Sequence, residues 1–368
     1  MGTFNIFVLP GDGVGPEVTS ASKEVLDTVA SRWEHTIAYS EDLVGGSAID
    51  QYGEPLRPET LDKAKESDAI LFGSVGGPKW DNAPIRPEAA ILGLRKGLGL
   101  FANIRPVKVF PGMESSSPIK NERVKGTDLI ILRELTGGLY FSKPKRRWST
   151  KRGRRGVDTL LYTEQEIVRI LRVGFELARG RRKKLTSVDK ANVMETGRLW
   201  HAIADEIGKE YPDVHLEHAL ADSCAMSIVT NPTQFDVLVM ENMFGDILSD
   251  EAAVLTASLG MLPSASLAAL PQASGSRKRK VRGLYEPIHG TAPDIAGLGK
   301  ANPIGSILSM SFMLRYSLGL VKEADAVDKA VEEALSDGLR TADLATPGEK
   351  ALSTSEMTAA IIDRLSKA

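Results

Sequence analysis

Cysteine is almost missing. A single residue, Cys224, among 368 rules out an internal disulfide and suits a reducing compartment. Excess charge of one sign is missing too: a net charge of −2 offers no global attraction to nucleic acid or to an anionic membrane surface. No apolar run approaches the roughly 20 residues that span a bilayer. The N-terminus lacks the basic region, apolar stretch and small-residue cleavage site of a secretory signal, so a cytoplasmic protein is expected. What is present is ordinary for a globular chain, with 42% hydrophobic and 26% charged residues. At 368 residues the chain exceeds what one hydrophobic core usually supports, which predicts two domains.

Short β-branched runs alternate with longer segments of helical period. "DAILFGSV" (68–75), "DLIILREL" (128–135), "KLTSVDKA" (184–191) and "FDVLVMEN" (235–242) read as buried strands. "PETLDKAKE", "EQEIVRILRVGFELARG" and "GRLWHAIADEIGKEY" read as amphipathic helices. The alternation predicts an α/β architecture with parallel strands. Two basic segments interrupt it, "KPKRRWSTKRGRR" (143–155) and residues 277–282 within "QASGSRKRKVRG". A nucleic-acid-binding arm is one reading. Solvated surface loops are the other, and they are favoured because a charge run alone specifies no partner.

The opening stretch "FNIFVLPGDGVGPEV" places a glycine-rich turn between a predicted strand and a predicted helix. A dinucleotide fingerprint needs a further glycine three residues after Gly13, and Pro16 stands there. The cofactor is therefore expected elsewhere. The loop "YEPIHGTAPDIAGLGKANPIG" (285–305) is a candidate, with Asp294 able to accept hydrogen bonds from a ribose diol. An ordinary connection is the alternative, although loops of this length usually carry function.

Candidate chemical groups lie in several further segments. In "EAAILGLRKGLGLFANIRP" (88–106), Glu88, Ile91, Leu92 and Arg95 share one helical face, and Arg105 follows. Arg133 ends an apolar strand, where an unpaired guanidinium is costly. Three guanidinium forks suit a substrate with two carboxylates, while internal pairing, for example with Glu134, is the competing reading. In "NMFGDILSDEAA", Asp246 and Asp250 fall one helical turn apart, where like charges repel unless a cation joins them. Hard oxygen donors point to Mg²⁺ or Mn²⁺, whereas helix capping by Asp246 is the alternative. Asp222 adds an acid within a mostly apolar segment. Lys190 and Tyr140 are candidate proton carriers if their surroundings shift their pKa values.

Six segments in order, "LPGDGVGPEV", "LRKGLGLFANIRP", "RELTGGLYF", "SVDKANVMETGRLW", "NMFGDILSDEAAVLTASLGMLPSASL" and "YEPIHGTAPDIAGLGKANPIGSILS", resemble the isocitrate/isopropylmalate β-decarboxylating dehydrogenases over nearly the whole chain. The members that act on 3-isopropylmalate are the most similar. The resemblance implies two α/β domains sharing a mixed sheet, not a Rossmann fold. The first would be 1–100 with 257–368 and carry the cofactor. The second would be 101–256 and carry the dimer interface, the metal and the catalytic residues. A homodimer held by an arm and packed helices is implied, with active sites in the interdomain cleft and shared between subunits.

By the same resemblance, Arg95, Arg105 and Arg133 bind substrate carboxylates, and Glu88, Ile91 and Leu92 line the substrate pocket. Asp246 and Asp250, with Asp222 from the neighbouring subunit, hold Mg²⁺ or Mn²⁺. Lys190, also from the neighbour, takes the substrate hydroxyl proton, and Tyr140 protonates the enolate after CO₂ leaves. Glu286, His289, Gly290, Thr291, Ala292, Asp294 and Asn302 match cofactor positions, with Val14 a neighbour of the cofactor. Members that use NADP carry lysine and tyrosine where this chain has Asp294 and Ile295, so NAD is expected. Isocitrate enzymes carry serine and asparagine at Ala89 and Ile91. The implied reaction is oxidative decarboxylation of 3-isopropylmalate to 4-methyl-2-oxopentanoate in leucine biosynthesis, with D-malate or tartrate as the alternative substrate.

Overall fold

A computed structural model describes residues 2–270, 281–346 and 348–367. The chain opens with β1 (Thr3–Gly11), α1 (Gly15–Arg32), β2 (Thr36–Glu41), α2 (Gly46–Tyr52), α3 (Pro58–Glu66), β3 (Ala69–Ser74) and α4 (Ala89–Leu98). It continues through β4 (Ala102–Lys108), α5 (Asn121–Val124), β5 (Asp128–Glu134), β6 (Arg146–Thr150) and β7 (Gly153–Val157). Next come α6 (Glu164–Arg179), β8 (Lys184–Asp189), α7 (Glu195–Gly208), β9 (His215–Leu220), α8 (Ala221–Thr230), β10 (Val237–Met240) and α9 (Asn242–Ala253). The last elements are β11 (Pro263–Leu267), β12 (Gly283–Pro287), α10 (Ile304–Met313), α11 (Val321–Ser336) and α12 (Thr354–Lys367).

Two compact units emerge. Unit 1 comprises Met1–Leu100, Lys108–Gly126 and Ala253–Ala368; unit 2 comprises Phe101–Val107 and Thr127–Ala252. These limits differ from the expected 1–100 with 257–368 and 101–256 at two places. The segment after β4 buries Phe110 and Met113, and Arg340 donates to the Gly112 carbonyl at 3.3 Å, which ties it to unit 1. Val254 likewise accepts a hydrogen bond from Ser117 within unit 1.

In unit 1 the strand order is β2-β1-β3-β12-β11, with β11 antiparallel to β12 and the other pairs parallel. A Rossmann half would run 3-2-1. Unit 2 orders its strands β4-β5-β10-β8-β9, with β5, β10, β8 and β9 parallel. Every residue of β3 and of β10 is buried, as continuous apolar runs require when both sheet faces are covered. Thr163 and Glu166 close a capping box at the start of α6, and Ile167, Ile170, Leu171, Gly174 and Ala178 form its buried stripe. Of the basic segments, 143–155 forms an exposed antiparallel ribbon, β6–β7, rather than a loop. Residues 277–280 lie outside the described residues. No described helix is long and apolar enough to cross a membrane.

The glycine-rich turn is structural, and the packing that the missing third glycine would have supplied is achieved differently. Gly15 sits so close to β3 that a Cβ there would lie 2.1 Å from the Pro10 carbonyl oxygen and 2.9 Å from the Ser74 amide nitrogen. Pro16 then occupies the first turn of α1, where its missing N–H is harmless. Gly13 has φ +62°, and a Cβ there would meet the Thr291 carbonyl oxygen at 2.1 Å, while the Val14 N–H donates to that same oxygen at 2.9 Å. The opening turn thus braces the 285–305 loop within unit 1. Gly13→Ala is expected to lower stability by about 1–3 kcal/mol through strain and collision, read from the urea unfolding midpoint.

Candidate active site

In unit 2 the chemistry converges on Asp246. Arg133 leaves the end of β5 with its side chain buried, 3% exposed, so its charge needs a partner. Its Nη1 donates to Asp246 Oδ1, and its Nε donates to Asn242 Oδ1 at 3.0 Å. Tyr140, in the turn after β5, donates its hydroxyl to Asp246 Oδ2 at 2.9 Å. Arg105 on β4 donates from Nη1 to Ser249 Oγ at 2.6 Å, lies 3.4 Å from Asp250 Oδ1, and is oriented by Asn103 Oδ1 at 2.8 Å. Asp246 and Asp250 project from α9 one turn apart, as their spacing requires.

Glu134 does not pair with Arg133; it is 0% exposed and accepts from the Thr136 and Gly137 amides at 3.0 and 2.7 Å and from Arg169 at 3.2 Å. Asp246 does not cap its helix either, since α9 begins four residues earlier at Asn242. Burial followed by the neighbouring Asp246 carboxylate pushes the Tyr140 hydroxyl up to about 12. Burial raises Asp250 as well, against the Arg105 charge. Two carboxylates of this kind form an all-oxygen donor set suited to Mg²⁺ or Mn²⁺.

Lys190 and Asp222 form a second group. Lys190 follows β8, Asp222 lies in the first turn of α8, and the two pair at 2.7 Å. The hydrogen bond from Lys190 holds the Asp222 carboxyl below the usual carboxylate range. Among the described residues of one chain, Asp222 does not gather with Asp246 and Asp250 into a group that could share one ion.

Unit 1 holds the remaining candidates. Arg95 and Ile91 turn inward on α4, Leu92 is half-buried, and Glu88 is exposed at the helix N-cap. Ile91 packs among Phe7, Phe72 and Leu94. Arg95 donates to Glu286 Oε1 on β12 at 2.9 Å, so these two are joined to each other. The next loop carries His289, Gly290, Thr291, Ala292 and Asp294, the last exposed. Burial lowers the pKa of His289, its Nδ1 faces the Gly290 carbonyl at 2.9 Å, and its buried Nε2 has no hydrogen-bond partner among the described residues. A buried imidazole nitrogen without a partner is what a ligand-binding loop leaves for its ligand. Asn302 is different: its amide is spent on Asp343 Oδ2 and the Ile304 N–H, both at 3.0 Å, which fixes the start of α10. Val14 is also internal, packed with Val18 and Ala301.

Residues 5–361 match the family model for isocitrate/isopropylmalate dehydrogenase. The chain belongs to the isocitrate/isopropylmalate dehydrogenase family. A 3-isopropylmalate dehydrogenase of Heyndrickxia coagulans is 56% identical over 361 residues, covering 97% of this chain and 95% of that protein. One of Dehalococcoides mccartyi is 55% identical over 357 residues, covering 96% and 97%. Among solved structures, isocitrate dehydrogenase from Methylococcus capsulatus aligns with TM-score 0.85 and 32% identity over 99% of both chains. Like others of the family, the chain is a decarboxylating oxidoreductase.

Several residues that shape this family member's site escaped sequence reading. Asn242 and Ser249 hold Arg133 and Arg105. Both stand in the same "NMFGDILSDEAA" stretch as the two acids, and their helical offsets from Asp246 were the available signal. Tyr162 had none: it donates toward Glu134 and Glu241 at 3.3 and 3.4 Å and accepts from the Asn242 N–H at 2.9 Å.

Proposed function

We propose that the protein catalyses NAD-dependent oxidative decarboxylation of 3-isopropylmalate to 4-methyl-2-oxopentanoate, a step of leucine biosynthesis in the cytoplasm. The observation that carries this reading is the near full-length match to relatives bearing that name. Arg95, Arg105 and Arg133 orient the substrate carboxylates, since guanidinium forks match carboxylate geometry. Lys190 removes the C2 hydroxyl proton as hydride departs. Tyr140, protonated at neutral pH because its pKa is pushed up to about 12, delivers a proton to carbon after CO₂ is lost. Asp246, Asp250 and Asp222 would hold Mg²⁺ or Mn²⁺, and the 285–305 loop would hold NAD. The cation supplies Lewis acidity and the nicotinamide accepts the hydride.

A homodimer with shared sites follows from the same reading. Lys190 and Asp222 serve the neighbouring subunit's acids. Large apolar side chains exposed beside these groups support it, Met226 on α8 at 71% and Ile247 on α9 at 59%, the latter next to Asp246. A face so apolar is expected to be covered by a second copy.

The test is NAD or NADP reduction with Mg²⁺, offering 3-isopropylmalate, isocitrate and D-malate at equal concentration. An isopropyl group against Leu92 and Ile91 contributes about 2 kcal/mol, so a preference of tens-fold over D-malate is expected. NAD should win, because the exposed Asp294 carboxylate repels a 2′-phosphate. Preference for D-malate overturns the pocket argument, and equal use of NADP overturns the role of Asp294.

A further inference from the structure

Away from the acids of α9, unit 2 gathers two imidazoles between two carboxylates. Asp189 ends β8, His218 lies in β9, and His201 and Asp205 lie one turn apart on α7. The His201 and His218 rings stack with centroids 3.6 Å apart. Their Nδ1 atoms both face Asp189 Oδ2, His201 at 2.8 Å and His218 at 3.9 Å. Their Nε2 atoms both face Asp205, His218 at 3.0 Å and His201 at 4.0 Å.

Asp205 faces the His218 Nε2–H at 3.0 Å, and in a neutral ring that tautomer makes Nδ1 the acceptor. That Nδ1 is buried and has no hydrogen-bond partner among the described residues. It is aimed at a carboxylate oxygen, an arrangement that is repulsive unless a proton or a cation lies between them. A carboxylate on one ring nitrogen that turns the other toward a cation is the arrangement that orients metal-binding histidines. One donor atom from each of Asp189, His201 and His218 lies within 4.8 Å of the others. Co-ordination by His201 requires its Nδ1 to give up the proton now shared with Asp189, a proton released on binding.

We propose that Asp189, His201 and His218 form a cation site of their own, selective for a borderline transition ion such as Zn²⁺ over Mg²⁺ or Mn²⁺. Two imidazole nitrogens and one carboxylate oxygen are the donors Zn²⁺ favours, whereas Mg²⁺ and Mn²⁺ prefer oxygen alone. A fourth position is left for water. The same Asp189 carboxylate accepts the Ala191 N–H at 2.9 Å through its other oxygen, so an ion here would sit against the turn that carries Lys190.

The full-length, chelator-treated protein is titrated with Zn²⁺ by calorimetry in excess Mg²⁺, and separately with Co²⁺ by visible absorption. The expected result is one Zn²⁺ per chain that Mg²⁺ does not displace, and the intense Co²⁺ bands of a low-coordinate nitrogen-bearing site. His218→Ala should weaken Zn²⁺ binding at least as much as the loss of an outer-shell partner, about 100-fold. His201→Ala, altering a more exposed ring, should do the same while circular dichroism reports an intact fold. Absence of Zn²⁺ binding in excess Mg²⁺ would falsify the site. So would binding that is unchanged in both histidine variants, or that disappears in Asp246→Asn.

Discussion

Asp246→Asn is expected to lower kcat/KM for 3-isopropylmalate by about 1000-fold or more, while the protein stays folded. Asparagine keeps the shape and removes the charge. Arg133 Nη1 then faces a neutral amide in a buried position, and the Tyr140 hydroxyl loses a charged acceptor. Truncating one side of a buried, hydrogen-bonded charge pair costs about 2–5 kcal/mol, and each ~1.4 kcal/mol is tenfold in rate. One of the proposed cation ligands is lost besides. Asp246 is itself 36% exposed, so the effect on stability should be much smaller than the effect on turnover. Measuring kcat/KM over a range of Mg²⁺ concentrations, with thermal unfolding alongside, decides the matter. Activity within tenfold of wild type at any Mg²⁺ concentration would remove Asp246 from the machinery.

Lys190→Met should be equally inactive, because a positioned acid–base group typically contributes about 10²–10⁴-fold. More informative is a mixture of the two inactive proteins. If Lys190 of one subunit serves the Asp246 cluster of the other, a hybrid dimer carries one site with both defects and one with neither. Equal mixing with subunit exchange through a twofold interface should then restore about one quarter of wild-type activity. If each subunit uses its own Lys190, every site in the mixture stays defective and nothing is recovered. The pairing of Lys190 with Asp222, and the lack of an Asp222–Asp246–Asp250 metal-sized group among the described residues of one chain, are the reasons to expect recovery.

Much of this was legible before any coordinates. "PETLDKAKE" is α3, and the four runs contain β3, β5, β8 and β10, because strands buried on both faces of a sheet read as largely apolar runs. The helical offset of Asp246 and Asp250 placed them correctly on one face of α9. What stayed hidden were the choices of partner. Glu134 is adjacent to Arg133 in sequence, yet on a strand successive side chains point to opposite faces, and Glu134 turns to Arg169 instead. Asn302 looked like a cofactor contact, and its amide is committed to Asp343, forty-one residues away. Gly15 replaced the absent glycine by packing on β3, a contact that spacing within the motif does not encode. The basic run at 143–155 carries no apolar alternation, so its ribbon had no pattern to announce it.

Arg95, Arg105 and Arg133 are already occupied. Arg95 holds Glu286, Arg133 holds Asp246, and Arg105 holds Ser249 and approaches Asp250. An arriving carboxylate is therefore a competitor for a guanidinium that has a resident anion or hydroxyl. Its gain is the difference between two similar interactions, not the full worth of one. On the proposed reading, a small monoanion that displaces a single resident gains next to nothing, which protects the site from acetate and chloride. Only an acid whose several groups meet several arginines at once accumulates enough of these small differences to stay, so selection falls on the spacing between carboxylates.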